Sequence, residues 1–295
     1  MDSYEKLSYV SITPHAEFLR NFVANTICHS CKTSQRKRCI NMADDHNLCS
    51  ECYKTAVFSI ERLPYIVHNL RKFYRQFNLK VDKNIPIFLT DKVEMRKEFD
   101  DKTTHSMTVY AKKSTTLVIK NCLWQGEKME AVKEPKKLSK ISILLRFGYP
   151  DVITGARLAH EMMNVWLGNK GCMDIQQNIK EGICKVMAYK WLDWYFCNYV
   201  DSSSDNGRLG LRYIQIYKPE IESNRAFRGA KMAVDKYGLK HTLKHIVNTR
   251  NLPDVNQATA LVKIMNEPNE INTVLLAQEE MVEQRTSRKM GLIFS

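Results

Sequence analysis

Between residues 62 and 77, Leu63, Ile66, Val67, Leu70, Phe73, Tyr74 and Phe77 recur at steps of three and four. That spacing puts the apolar side chains on one face of an α-helix. The pattern then shortens. Residues 87–89, 107–110, 117–119 and 141–147 are brief apolar runs, the last ended by Gly148-Tyr149-Pro150, and they predict four strands of one small sheet. Helical spacing returns after residue 150. Thr154 is placed to cap a helix reaching Leu167, with Leu158, Met162 and Val165 on related faces. Ile183, Val186, Met187, Trp191 and Trp194 make the apolar stripe of a second helix, and Gly238 separates two more helical segments. The fold expected is α+β, with helices dominating the second half and the small sheet lying over the helix that carries His160.

Composition agrees with a folded chain: 44% of the 295 residues are hydrophobic and 26% charged, so a disordered chain is excluded. No run approaches the roughly 18 apolar residues of a membrane-spanning helix. The opening MDSYEKLSYV has no apolar core, so no secretory leader is expected and a reducing compartment, cytoplasm or nucleus, is. Lys plus Arg number 45 against 32 acids, a net charge of +13, which favours acidic partners. The basic residues are spread along the chain, and no nucleic-acid recognition module emerges from them.

In a reducing compartment, paired cysteines read as metal ligands rather than disulfides. Cys28-His29-Ser30-Cys31 is followed, after 17 residues, by Cys49-Ser50-Glu51-Cys52. Each CxxC turn brings two thiolates to one ion, and two turns complete a tetrahedron with no open position for water. The pattern predicts a structural Zn²⁺ held by Cys28, Cys31, Cys49 and Cys52. His29, Cys39 and His46 are competing ligands with weaker spacing.

A second constellation starts at His160-Glu161-Met162-Met163-Asn164. In H-E-x-x-H zincins, two histidines one helical turn apart hold zinc, and the glutamate between them activates the metal-bound water. Here the first His and the Glu are present and Asn164 takes the fifth position. One zincin class draws its third ligand, a glutamate, from a later helix, and Glu181 fits that role. By spacing alone, His160 and Glu161 read first as ordinary helix residues, because HExxN is not the motif. Further along, Tyr237 and His245 are candidates to donate to a tetrahedral oxyanion. Trp166, Trp191 and Trp194 read as core aromatics, and Cys184 as a buried thiol.

The order of segments adds to this reading. CHSC and CSEC are followed by LLRFGYPDVITGARLAHEMMNVWL, EGICKVMAYKWL, FRGAKMAVDKYGL and KHTLKHI. Over roughly residues 25–250 the chain resembles the plant family of LIM-domain peptidases that restrict organ growth and are activated by ubiquitylation. The resemblance implies a partial LIM-like zinc knuckle joined to a mainly helical gluzincin-like domain. It implies His160 as first zinc ligand, Glu161 as general base and Glu181 as third ligand. Asn164 stands where the family has its second zinc-binding His, and Lys180 where it has an acidic residue, and both changes weaken zinc binding. Neither the family's ubiquitin-interacting helices nor the first half of its LIM module is evident, so the chain resembles a shortened, diverged member.

Three regions are expected: a knuckle over residues 1–60, a zincin-like domain over 61–250 and a charged helical tail over 251–295. The expected function is that of an impaired or inactive zinc metallopeptidase-like regulator. It would bind proteins in a ubiquitin-linked growth or defence pathway, with ubiquitin, ubiquitylated regulators or related family members as partners. The alternatives are an active intracellular zinc endopeptidase and a ubiquitin-binding adaptor without chemistry.

Overall fold

A computed structural model describes residues 22–23, 27–33, 39–42, 46–81, 85–90, 106–110, 116–125, 128–137, 141–199 and 205–255. Most of the tail expected to be helical, from residue 256 on, lies outside the described residues. The chain divides into two compact units. One comprises residues 1–68 and 84–154, the other residues 69–83 and 155–295.

In the first unit, β1 (Phe22–Val23), β2 (Cys39–Met42) and β3 (His46–Leu48) pair antiparallel in that order and lead to the six-residue helix α1 (Ser50–Thr55). β4 (Ala56–Val57) pairs with β10 (Tyr149–Pro150). A second sheet has β9 (Ile141–Arg146) at its centre, with β5 (Ile87–Thr90) parallel on one side and β6 (Ser106–Tyr110) antiparallel on the other. A central strand should be apolar on both faces, and Ile143, Leu144 and Leu145 are all at most 1% exposed.

The expected run at 117–119 does form a strand, but not in that sheet. It belongs to β7 (Thr116–Gln125), which forms a separate two-stranded hairpin with β8 (Lys128–Lys137). Three of the four expected runs therefore share a sheet. The fourth found a polar partner, KMEAVKEPKK, that carries no strand alternation.

The helix α2 (Leu63–Gln76) follows its predicted periodicity: Leu63, Ile66, Leu70, Phe73 and Tyr74 are buried, while Val67 and Phe77 are half-buried. The helix α3 (Asp151–Asn169) starts three residues earlier than expected, directly after Pro150. Thr154 consequently does not cap it. Its hydroxyl lies inside the first turn, buried, and donates to the Tyr149 carbonyl at 3.1 Å.

In the second unit, α4 (Gln177–Tyr199) is the central element, and its predicted stripe of Ile183, Val186, Met187, Trp191 and Trp194 is buried. Trp191 lies edge-on to Phe73, with ring centroids 5.6 Å apart, and it fills the space over Gly155. A Cβ at Gly155 would come within 2.3 Å of that indole, so the glycine permits the close approach. Trp194 is buried as expected, whereas Trp166 is half-buried and carries Lys170 over its ring at 5.6 Å. The remaining helices are α5 (Asp205–Glu222), α6 (Arg225–Tyr237) and α7 (Leu239–Thr249). Asn224 caps α6 by accepting from Phe227 N–H. Gly238 divides α6 from α7 with φ +75°, a conformation that favours glycine, and this is the break read from the sequence.

Arg250 closes α7 and pins the loop between α3 and α4. Its Nη1 donates to Cys172 Sγ at 3.0 Å, its Nη2 to the Gly171 carbonyl at 2.9 Å, and its Nε lies 3.3 Å from Asp174 Oδ1. The fork of a guanidinium is needed to reach all three. Arg250→Ala is expected to lower unfolding stability by about 1–2 kcal/mol, the scale of charge-assisted hydrogen bonds at a partly exposed site. Arg250→Lys should recover little of it. Urea denaturation of the three proteins is the measurement, and full recovery by lysine would refute the fork.

Candidate functional site

The first site is the cysteine cluster. Cys28 and Cys31 flank a tight turn in which Lys32 N–H donates to the Cys28 carbonyl. Cys49 and Cys52 lie at the start of α1, where Cys49 is the N-cap and its sulfur accepts from Cys52 N–H at 3.5 Å. Cys49 N–H donates to Cys28 Sγ at 3.3 Å, so backbone dipoles already favour negative sulfur. All four cysteines are at most 2% exposed, and their sulfurs lie within 4.8 Å of one another.

Four zinc–sulfur bonds of 2.3 Å in a tetrahedron separate the sulfurs by about 3.8 Å. Cys31 and Cys49 Sγ are 3.9 Å apart. The donors are thiolate-forming, closed to solvent and correct in number, so the residues fit a structural Zn²⁺. Without a cation the four cannot ionise together. Hydrogen bonds from Cys28, Cys49 and Cys52 push the Cys31 thiol down, whereas Cys28 and Cys31 push the Cys49 thiol up. A divalent ion removes that conflict by accepting all four as thiolates.

Of the competing ligands, His29 and Cys39 do not join. His29 Nδ1 accepts from Asn47 N–H at 2.9 Å, which ties the first turn to β3. Cys39 is buried on β2 outside the cluster. The side chain of His46 lies outside the described residues.

The second constellation is built by α3 and α4, joined by the Arg250-pinned loop. His160 Nε2 lies 3.6 Å from Glu181 Oε2. That separation suits two ligands of one zinc ion, which would be about 3.4 Å apart at ordinary bond lengths. Glu161, next to His160, is 4% exposed. Asn164, one turn on, is half-buried. Tyr74 donates to the Ala159 carbonyl at 2.6 Å and fixes the α3 backbone just before His160. Burial pushes the Tyr74 phenol up, and the neighbouring Cys184 and Glu161 push it the same way. Cys184 is 1% exposed, and burial, then Glu161 and Glu181, push its thiol up, the opposite of an activated nucleophile.

The donor set of this constellation does not fit a peptidase zinc. Catalytic zinc needs three protein ligands, and an amide stands where the second imidazole would be. The other oxygen of Glu181 is also engaged, because Lys185 Nζ lies 3.2 Å from Oε1. Among the described residues, the four cysteines are the one group of three or more Cys, His, Asp or Glu side chains that converge as metal ligands.

Residues 76–223, half of the chain, match the family model described as DA1-like, Protein DA1. The chain belongs to the DA1-like family. Protein DA1 of Arabidopsis thaliana is 29% identical, over 77% of this chain and 49% of its own length. The LIM domain-containing protein HDR3 of Oryza sativa subsp. japonica is 27% identical, over 77% of this chain and 54% of its own. Protein DA1-related 3 of Arabidopsis thaliana is 25% identical, over 76% and 61% respectively. The chain spans about half the length of most curated relatives it matches. No solved structure matches it. This is the family that the ordered segments around CHSC, HEMMN and EGIC resemble, and the matched stretch includes His160, Glu161, Asn164 and Glu181 but not the knuckle.

Tyr237 and His245 lie outside that stretch. The Tyr237 hydroxyl donates to the Asp254 carbonyl at 2.6 Å, so its proton is committed within the fold. His245 is half-buried on α7 and its carbonyl accepts from Thr249 Oγ1. Sequence reasoning named Lys180 as an adverse charge and missed Lys185, and both lysines act on the Cys184 thiol beside Glu161 and Glu181. The signal that finds Lys185 is its i, i+4 relation to Glu181.

Among the described residues, no helix is long and apolar enough to cross a membrane.

Proposed function

We propose that this chain is a regulatory member of the DA1-like family that acts by binding proteins and hydrolyses peptides poorly or not at all. The observation that carries the proposal is the ligand set on α3 and α4. His160 and Glu181 remain paired, Asn164 replaces a ligand, and Lys185 holds the second oxygen of Glu181. With two ligand side chains, a zinc-bound water of lowered pKa is not sustained, and Glu161 has nothing to deprotonate. The zinc knuckle, a rigid thiolate-locked turn, then serves binding rather than chemistry. Ubiquitin, ubiquitylated regulators and other family members are the partners that the resemblance suggests, in a growth or defence pathway of the cytoplasm or nucleus.

The retained triplet of His160, Glu161 and Glu181 favours a second reading. In it the chain is an active intracellular zinc endopeptidase whose third ligand comes from a residue outside the motif. A third reading, a ubiquitin-binding adaptor without chemistry, keeps the binding role and drops the residual one. A peptide-cleavage assay with added zinc separates them. The natural chain and Glu161→Ala are expected to show the same background rate. Cleavage by the natural chain that disappears in Glu161→Ala would promote the second reading. Ubiquitin pull-down with and without Cys49→Ala tests the adaptor.

A further inference from the structure

The geometry points to Lys185 as an internal counter-ion that stands in for a metal's charge and closes the His160–Glu181 pair to zinc. The inference rests on the reading that this centre does not hold zinc, and it assigns a second, independent cause besides Asn164.

Glu181 and Lys185 are four residues apart on α4, with the acid nearer the N-terminus, the favourable order for a helical ion pair. The two carboxylate oxygens are divided: Oε1 faces the ammonium at 3.2 Å and Oε2 faces His160 Nε2 at 3.6 Å. All three side chains are between 22% and 33% exposed, so water screens them only partly. Around them lie the buried carboxyl of Glu161 and the buried thiol of Cys184. In a zinc peptidase, the charge of two acidic groups at one site is balanced by the dication. Here a lysine on a flexible stem supplies positive charge in its place. A zinc ion entering between His160 and Glu181 would meet an ammonium within a few ångströms, a like-charge contact that the site cannot relieve without moving Lys185.

The consequence is that restoring a ligand at position 164 is not sufficient. Zinc per chain, by elemental analysis after dialysis at a buffered free zinc concentration, is compared across Asn164→His, Asn164→His with Lys185→Gln, and Asn164→His with Lys185→Arg. Knuckle zinc and helical circular dichroism report folding in the same samples. The expected result is a second zinc in the Gln double variant, bound about 10- to 100-fold more tightly than in Asn164→His alone, the range that groups beside metal ligands command. The Arg double variant should behave as Asn164→His does, because it keeps the charge. If the histidine disturbs α3, the isosteric Asn164→Asp with and without Lys185→Gln repeats the comparison with a carboxylate ligand.

Equal second-site affinity with and without Lys185 would overturn the inference. So would a folded Gln double variant that takes no second zinc. Neither outcome touches the functional reading, which fails if the natural chain itself carries the second ion or shows cleavage that depends on Glu161.

Discussion

Cys49→Ala is expected to abolish zinc binding at the knuckle and unfold residues 25–55 locally. Cys49 has three roles in that segment. Its sulfur is one of four ligands and lies 3.9 Å from Cys31 Sγ. The same sulfur caps α1 by accepting from Cys52 N–H, and the Cys49 amide donates to Cys28 Sγ. The strands here have two to four residues each and cannot bury a core of their own. Zinc binding of about 10–16 kcal/mol in such small sites is therefore the folding energy of the segment. Limited proteolysis should cut the variant within residues 25–55 under conditions that leave the natural protein intact, and a strong chelator should reproduce that pattern. The helical signal should fall little, since α1 has only six residues. An unchanged zinc content and digestion pattern would refute the assignment.

Gly182→Ala is expected to destabilise the helical unit, against the intrinsic preference of a helix for alanine. A Cβ at Gly182 would lie 2.4 Å from the Ala226 carbonyl oxygen and 2.9 Å from its carbon, which are backbone atoms of α6 that cannot rotate away. Replacing a mid-helix glycine by alanine gains about 1 kcal/mol. Forcing two packed helices apart costs about 1–3 kcal/mol, occasionally more. The steric term wins, and Gly182→Val should lose more again. Gly229, on α6, is the matched control: a Cβ there meets nothing within 4 Å, so Gly229→Ala should raise stability by up to about 1 kcal/mol. Thermal unfolding of the two alanine variants should move in opposite directions. Parallel shifts would mean that α4 and α6 do not pack as closely as described.

The knuckle was legible because its chemistry is local. Two CxxC turns dictate which sulfurs meet, whatever the rest of the chain does. The faces of α2 and α4 and the glycine break at 238 were legible for a similar reason, since period and backbone freedom are properties of short windows. His160 and Glu181 were found through their motif, and the turn between α3 and α4 does bring them to 3.6 Å. What stayed hidden depends on distant partners. The run at 117–119 pairs with a charged segment containing Pro135, and nothing in that segment announces a strand. Thr154 has the chemistry of a cap, but the helix starts at Asp151 and turns the hydroxyl inward to Tyr149. Arg250 reaches Cys172 across 78 residues of chain. Lys185 carries no motif signal of its own, and only its place one helical turn after Glu181 on α4 brings its ammonium to the carboxylate.

The most direct test of the account is the zinc content of the purified natural chain, measured by elemental analysis at saturating zinc followed by dialysis. One ion per chain is expected, bound at the four cysteines and lost in Cys49→Ala. Two ions per chain, one of them retained in Cys49→Ala and lost in Glu181→Gln, would contradict it and restore an intact peptidase centre.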